Sequence, residues 1–452
     1  MTRIHRLAAA ASLSLGLALG LSAGAAQAED AITVVSWGGA YTASQVEAFH
    51  KPFTEKTGII IQSTDYDGNV APVKAQTLSG NVTWDVVDVE LPDAIRLCDE
   101  GALELIDAAA LSPARDGTPA EEDFLEGTLY DCAVANVIWA TVTAYNSTAF
   151  DGNAPTTIAD FFDLDAFPGK RGMRKTARSN LEMALMADGV APEDVYPLLE
   201  TKEGRDRAFA KLDTIKDSVV WWDAGAQPPQ LLADGEVVMT TAFNGRIFNA
   251  VHGEGQPFEI VWDGQVWDID LWVIPAGTPN KAQAMEFIRF ATGTEAMANQ
   301  LSLIAYGPTR ASALPLIGTH PDYGVEMLPN VPNAEANLTT ALKTDPLFWA
   351  DFSVELEQQF NAWLDEGFAR PGARRSGGRR PSAASRRGCA PSTGGARRGR
   401  RGRDRLTRAG PAARQAPLRI VQPLCRRGAL RRGVERMDRL LLAPADIMRV
   451  HG

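Results

Sequence analysis

The apolar positions of this chain switch between two periods. Residues 31–36, Ala-Ile-Thr-Val-Val-Ser, are a short β-branched run that predicts a strand, and Trp37-Gly38-Gly39 ends it. Behind Thr42-x-x-Gln45, which has capping-box spacing, Val46, Phe49 and Phe53 recur as on one face of a helix. Gly58 stops that helix, and residues 59–62 predict a second strand. The alternation continues with a strand over 84–89, a helix over 92–100, a long apolar run over 133–144 and a turn at Tyr145-Asn146. Further on come helix 180–187, strand 219–222, helix 229–233 and strand 236–242. Thr278-Pro279 opens a helix with Met285, Ile288 and Ala291 on its apolar face. Strand–helix–strand order of this kind predicts an α/β fold whose largely parallel sheet is covered on both faces.

Residues 258–277 break the pattern. Trp262, Trp267 and Trp272 stand among Asp263, Asp268 and Asp270 in one apolar run. A buried cation needs this mixture. An indole face attracts positive charge, by about 0.5–2 kcal/mol per contact, and a carboxylate fixes an ammonium through a charge-assisted hydrogen bond. The plainer alternative is two strands with tryptophans in the core and aspartates in the turn. Acids inside a buried strand are rare unless paired. Ligands of open α/β sheets sit beyond the carboxyl ends of strands. Trp37, Glu90, Trp221, Trp222, Asp223, Phe243, the 267–270 stretch and Tyr306 all fall at such ends.

The first 28 residues carry Arg3 and Arg6, then an apolar stretch, then Ala26-Gln27-Ala28, the layout of a secretory signal cleaved after Ala28. No later stretch has the roughly 18 consecutive apolar residues of a membrane span. The mature protein is therefore expected to be exported and periplasmic. The whole-chain charge of −11 hides a discontinuity: residues 29–369 carry −32, residues 370–452 carry +19, and the leader +2. The 370–452 tail holds 23 Arg and no Lys, repeated with Gly, Ala and Pro. It is expected to be disordered, because such a composition buries no core. Arg without Lys points to GC-rich codons read in a wrong frame or past a lost stop, a native basic appendage being the alternative. Nucleic acid is not an expected partner, since an exported protein meets none in its normal work.

About 340 residues remain, too many for one simple core and suited to two α/β lobes. The expected lobes are 29–140, with about 268–310 returning to it, and 141–267, with about 311–369 packing on it. Cys98 and Cys132 make an even pair in an oxidising compartment, which predicts a disulfide closing a loop of about 35 residues, two separate buried cysteines being the alternative. No cofactor or metal is expected: the histidines are scattered, and neither a C-x-x-C, an H-E-x-x-H nor a glycine-rich phosphate loop occurs.

Five motifs stand in a definite order: SWGGAY (36–41), WDVVDVE (84–90), ADGEVVMTTAFNGR (233–246), VWDIDLWVIPAG (266–277) and AYGPTR (305–310). Together they resemble the periplasmic binding proteins of spermidine/putrescine ABC importers, over roughly residues 29–369. The resemblance implies a type II periplasmic-binding-protein fold, with two lobes of mainly parallel sheet flanked by helices and a ligand in the cleft between them. It implies delivery of a small cationic ligand, most simply a polyamine, to membrane permease subunits by a monomer that is not an enzyme. By motif position, Trp37 matches the aromatic after the first strand, Phe243 an aromatic that is usually Trp, Asp270 the carboxylate for a ligand amine, and Tyr306 the tyrosine before the Pro-Thr step. Trp267 stands beside Asp268, which replaces a family aromatic. Glu90 and Pro92 stand where the family has Ser and an aromatic, and Glu182 is the nearest candidate for an acidic pair. Trp222 and Asp223 complete the expected ligand set.

These departures leave room for another small ligand, such as an opine, an amino-acid derivative or an iron complex. A third expectation is a secreted glycosidase, which needs two acids flanking one sugar bond. Asp268 and Asp270, two apart on a strand and so on one face, are the pair it would use.

Overall fold

The computed structural model describes residues 30–150 and 152–368. The leader and the Arg-rich tail lie outside the described residues. Ten strands make up the sheet: β1 Ala31–Ser36, β2 Ile60–Asp65, β3 Val86–Glu90, β4 Leu129–Tyr130, β5 Ala133–Asn146, β6 Arg171–Arg174, β7 Val219–Trp222, β8 Met239–Phe243, β9 Phe258–Val273 and β10 Leu342–Lys343. The order along the sheet is β2-β1-β3-β9-β5-β8-β6-β7, with β10 on β9 and β4 on β5.

Two parallel groups, β2-β1-β3 and β8-β6-β7, are joined by an antiparallel ribbon of the two longest strands, β5 and β9. The ribbon runs through both halves. At one end Val273 lies beside Ala133 and Val87, and at the other Phe258 lies beside Asn146. The last residue of β3, Glu90, pairs with Asp270, and the last of β8, Phe243, pairs with Thr141. Both parallel groups thus aim their carboxyl ends at the middle of the ribbon. That convergence places the cleft.

Several local expectations change. Residues 258–273 form one strand of 16 residues. The break within it is a bulge: Val266 faces Thr141 while Val261 faces Thr143, and Gly264 supplies the positive φ of 67° that the bulge needs. A Cβ there would come within 2.7 Å of Ile158. Tyr145 and Asn146 do not turn. They finish β5, paired with Glu259 and Phe258, because the Tyr145 ring is buried; the turn follows at Ser147–Ala149. Thr42 does not cap its helix either. Gly38 and Gly39, at φ 70° and 60°, bend the chain into the helix Gly39–Gln45 early, and Thr42 Oγ1 accepts the Gly38 N–H at 2.7 Å. Gln45, freed from the capping box, reaches inward to Asp88.

Each half has its own core. Phe49, Phe53, Trp272 and Phe287 pack together on one side, and Phe161, Leu185, Trp349 and Phe360 on the other. Trp349 and Phe360 come from the closing helix Pro346–Phe368, which also reaches the first half, where Arg96 Nη1 donates to Ser353 Oγ at 3.3 Å. A disulfide joins Cys98, at the end of the helix Leu91–Asp99, to Cys132 just before β5. Among the described residues no helix is long and apolar enough to cross a membrane.

Candidate functional site

A narrow, partly open chamber lies where the strand ends converge, lined by Trp37, Tyr41, Glu90, Trp139, Phe243, Arg246, Asp270 and Tyr306. Trp37 and Tyr41 follow β1, Glu90 ends β3, Trp139 and Asp270 come from mid-ribbon, and Phe243 ends β8. Arg246 lies in the helix Asn244–His252, and Tyr306 follows the helix Thr294–Leu301. The aromatics interlock: Tyr41 meets Tyr306 edge-on at 5.3 Å, and Trp139 meets Phe243 edge-on at 5.1 Å.

Two groups of opposite sign face this chamber, and neither forms an ion pair. Asp270 accepts one hydrogen bond, from Trp139 Nε1 at 2.7 Å. Burial, and then the charge of nearby Asp88, hold its carboxyl well above the usual range. Asp88 behind it is raised to about 6 by burial, although Gln45, Asn136 and Ser36 donate to it at 2.8, 3.0 and 3.1 Å. Arg246 is the cation. Its Nη1 and Nη2 donate to the carbonyls of Gly38 and Trp37 at 2.8 and 3.0 Å, and its Nε has no protein partner. Burial lowers its pKa, but a guanidinium stays charged in proteins. It also lies over the Phe243 ring, 5.8 Å from its centre, and a buried cation with no ion pair is ready for an anion.

Glu90 is already paired. It forms ion pairs with Arg174 Nη1 at 3.0 Å and, closely, with Arg178, which also reaches Asp93 at 3.5 Å. Both arginines come from the far half, so the pairs form a seam across the cleft. Outside the seam opens a charged vestibule of about 650 Å³, walled by Glu90, Asp93, Arg174, Arg178 and Glu357, with Asp223 at its edge.

Of the expected ligand residues, Trp37, Glu90, Phe243, Asp270 and Tyr306 meet in the chamber; the others do not line it. Trp222 supports from behind, edge-on to Phe243 at 5.6 Å. Trp267 is buried under Lys343, whose Nζ lies 5.4 Å from the ring centre. Glu182 sits in a separate buried cluster, accepting from Trp349 Nε1 at 2.6 Å and Tyr196 at 3.2 Å; burial raises it to about 7. Asp268 is buried too, likewise raised to about 7 by burial and drawn down by Arg178. A step of two residues along a strand is about 7 Å, enough to carry Asp268 past the chamber that Asp270 faces. The two acids therefore do not flank one cavity, as glycoside hydrolysis would require.

The sequence reading missed Tyr41, Trp139, Asp88 and Arg246. Arg246 was visible as the last residue of AFNGR. An expectation of a purely cationic ligand gave no reason to want an arginine there.

The family profile described as bacterial extracellular solute-binding protein matches residues 48–333. A gamma-aminobutyric acid-binding protein of Pseudomonas aeruginosa is 47% identical over 342 residues, covering 75% of this chain and 93% of that protein. The spermidine/putrescine-binding periplasmic protein of Salmonella typhimurium is more distant, 26% identical over 269 residues, covering 59% of this chain and 74% of that one. Among solved structures, the PBP MotA of A. tumefaciens B6 in complex with glucopine superposes with a TM-score of 0.67 at 29% identity, covering 74% of this chain and 99% of that one. A GABA receptor superposes with a TM-score of 0.63 at 31% identity, covering 74% and 98%. The polyamine resemblance thus holds for the wider group, and stronger likenesses lie elsewhere within it. With its two-lobed α/β architecture and more than half its length matched, the chain belongs to the bacterial extracellular solute-binding protein family.

Proposed function

We propose that this protein is the solute-capturing subunit of an ABC importer for a small ligand with an ammonium at one end and a carboxylate at the other, of the γ-aminobutyrate class. The observation that carries the reading is the acid and the cation on one chamber, Asp270 and Arg246, neither of them in an ion pair. The ammonium takes the free acceptor capacity of Asp270. The carboxylate takes the guanidinium of Arg246, and Trp37, Trp139 and Phe243 cover the methylenes between. A polyamine fits these charges poorly, because every end of it is cationic and Arg246 would face one of them. The relative named for gamma-aminobutyric acid binding supports the same ligand class.

Titration calorimetry near neutral pH with γ-aminobutyrate and putrescine tests the reading. The amino acid should bind more than tenfold tighter. A desolvated charge contact is worth about 2–5 kcal/mol when one partner is removed, and putrescine lacks one partner. Tighter binding of putrescine would retire Arg246 as a carboxylate anchor and restore the polyamine reading.

A further inference from the structure

The chamber and the vestibule share Glu90 as a wall, and two arginines hold it. Glu90 lines both spaces, and Arg174, at the end of β6, holds Glu90 at 3.0 Å from the opposite half. The Arg174 guanidinium also lies 5.6 Å from the ring centre of Trp37 and 5.5 Å from that of Phe243, the two aromatics on either side of the chamber. Its Nη2 donates to the Asp67 carbonyl at 3.3 Å. One side chain therefore touches an acid, two aromatic walls and a loop of the other half. Behind it lie about 650 Å³ of charged, open vestibule.

We propose that Arg174 is the residue that sets ligand length. The inference rests on the reading of the chamber as a site for an ω-amino acid. With Asp270 and Arg246 fixing the termini, each added methylene must bow outward between Trp37 and Phe243, and there it meets the Arg174 guanidinium. Making room means pulling Arg174 away from Glu90 and from both rings, which leaves a buried acid with one arginine in place of two. Short ligands avoid that cost. Arg178 pairs with the same acid but lies over Trp349, away from the chamber rings, so it shares the seam and not the length limit.

The test is a straight-chain series, γ-aminobutyrate, 5-aminovalerate and 6-aminohexanoate, titrated calorimetrically into the wild-type chain, Arg174→Ala and Arg178→Ala, with melting temperatures to show that each is folded. A pocket discriminates one methylene by about 10- to 200-fold, so the wild type should fall off steeply along the series. In Arg174→Ala the preference for γ-aminobutyrate over 6-aminohexanoate should shrink at least tenfold, the vestibule taking the excess length. In Arg178→Ala all three affinities should fall by a similar factor, leaving the preference intact. An unchanged preference in Arg174→Ala, with wild-type binding of γ-aminobutyrate intact, overturns the length limit alone. Equal relaxation in both variants also overturns it, since loosened closure would then be the cause. A wild type that binds none of the series overturns the ω-amino-acid reading and this inference with it.

Discussion

Arginines are used in opposite ways at the seam and in the chamber. At the seam Arg174 and Arg178 meet Glu90 and Asp93, so buried charge is neutralised inside the protein. In the chamber neither Arg246 nor Asp270 forms an ion pair: Arg246 donates to two carbonyls and lies over the Phe243 ring, and Asp270 accepts from an indole N–H. Removing charge from water is costly unless it is paired. The seam meets that cost when the halves come together; the chamber leaves it standing until something else enters. On the proposed reading, paired charge here serves closure, and unpaired charge serves the ligand.

The contrast can be broken most forcefully at Glu90. Glu90→Gln leaves two arginines facing a neutral amide, and losing one partner of a buried pair costs about 3–5 kcal/mol. Calorimetric unfolding should show a clearly lower melting temperature, while the preference of γ-aminobutyrate over putrescine survives. Loss of that preference would make Glu90 a ligand residue after all. Next comes Arg246→Gln, which should cost γ-aminobutyrate about 2–5 kcal/mol of binding yet raise affinity for putrescine. A parallel loss for both ligands would mean that Arg246 only props up the chamber.

Asp270→Asn sharpens the comparison from the other side. Affinity for γ-aminobutyrate should fall by more than about tenfold, while the unliganded melting temperature holds or rises, because a carboxylate that burial disfavours has gone. Lower stability with normal affinity would make Asp270 a structural residue of the ribbon. The smallest effect concerns Asp268, held at about 7 against an ordinary 3.8. The folded chain binds a proton there between those values and the unfolded chain does not, so this contribution to stability is full below about pH 4 and is lost as pH rises through about 7. Asp268→Asn should flatten the melting-temperature profile between pH 5 and about 8, with its largest gain at the alkaline end. An unaltered profile would show that Asp268 is ionised without strain.

How far the sequence could be read depended on range. Much of the strand and helix order followed from apolar spacing, since β-branched runs and helical periodicity are local, but β6 and the helices Lys202–Asp213 and Pro346–Phe368 were not read. Trp37 and Phe243 were also within reach, because ligands gather where strands of such sheets end, whereas Asp270, in mid-ribbon, and Tyr306, after a helix, were reached through motif position. What escaped was pairing. Glu90 is neutralised by arginines 84 and 88 residues away, and no local pattern reports that. Trp139 looked like one more apolar residue in a run over 133–144, and only the register of the ribbon brings its indole to Asp270. Asp268 and Asp270 share a strand face as alternation requires, and one strand step separates a chamber wall from the space beside Arg178.

Arg246 grows from the half that carries β8, and the carbonyls that hold it, at Trp37 and Gly38, belong to the half that carries β1. The anchor for a carboxylate is thus assembled only when the halves meet, whereas Asp270 and its indole partner both sit on the shared ribbon and exist before. On the proposed reading, recognition has an order in time, with the amine met first and the acid second. A simple alkylamine would pass the first test and fail the second, occupying the open protein without drawing it shut. Such a compound should compete with γ-aminobutyrate in calorimetry yet leave the radius of gyration in X-ray scattering at its unliganded value, a decoy that the importer never receives.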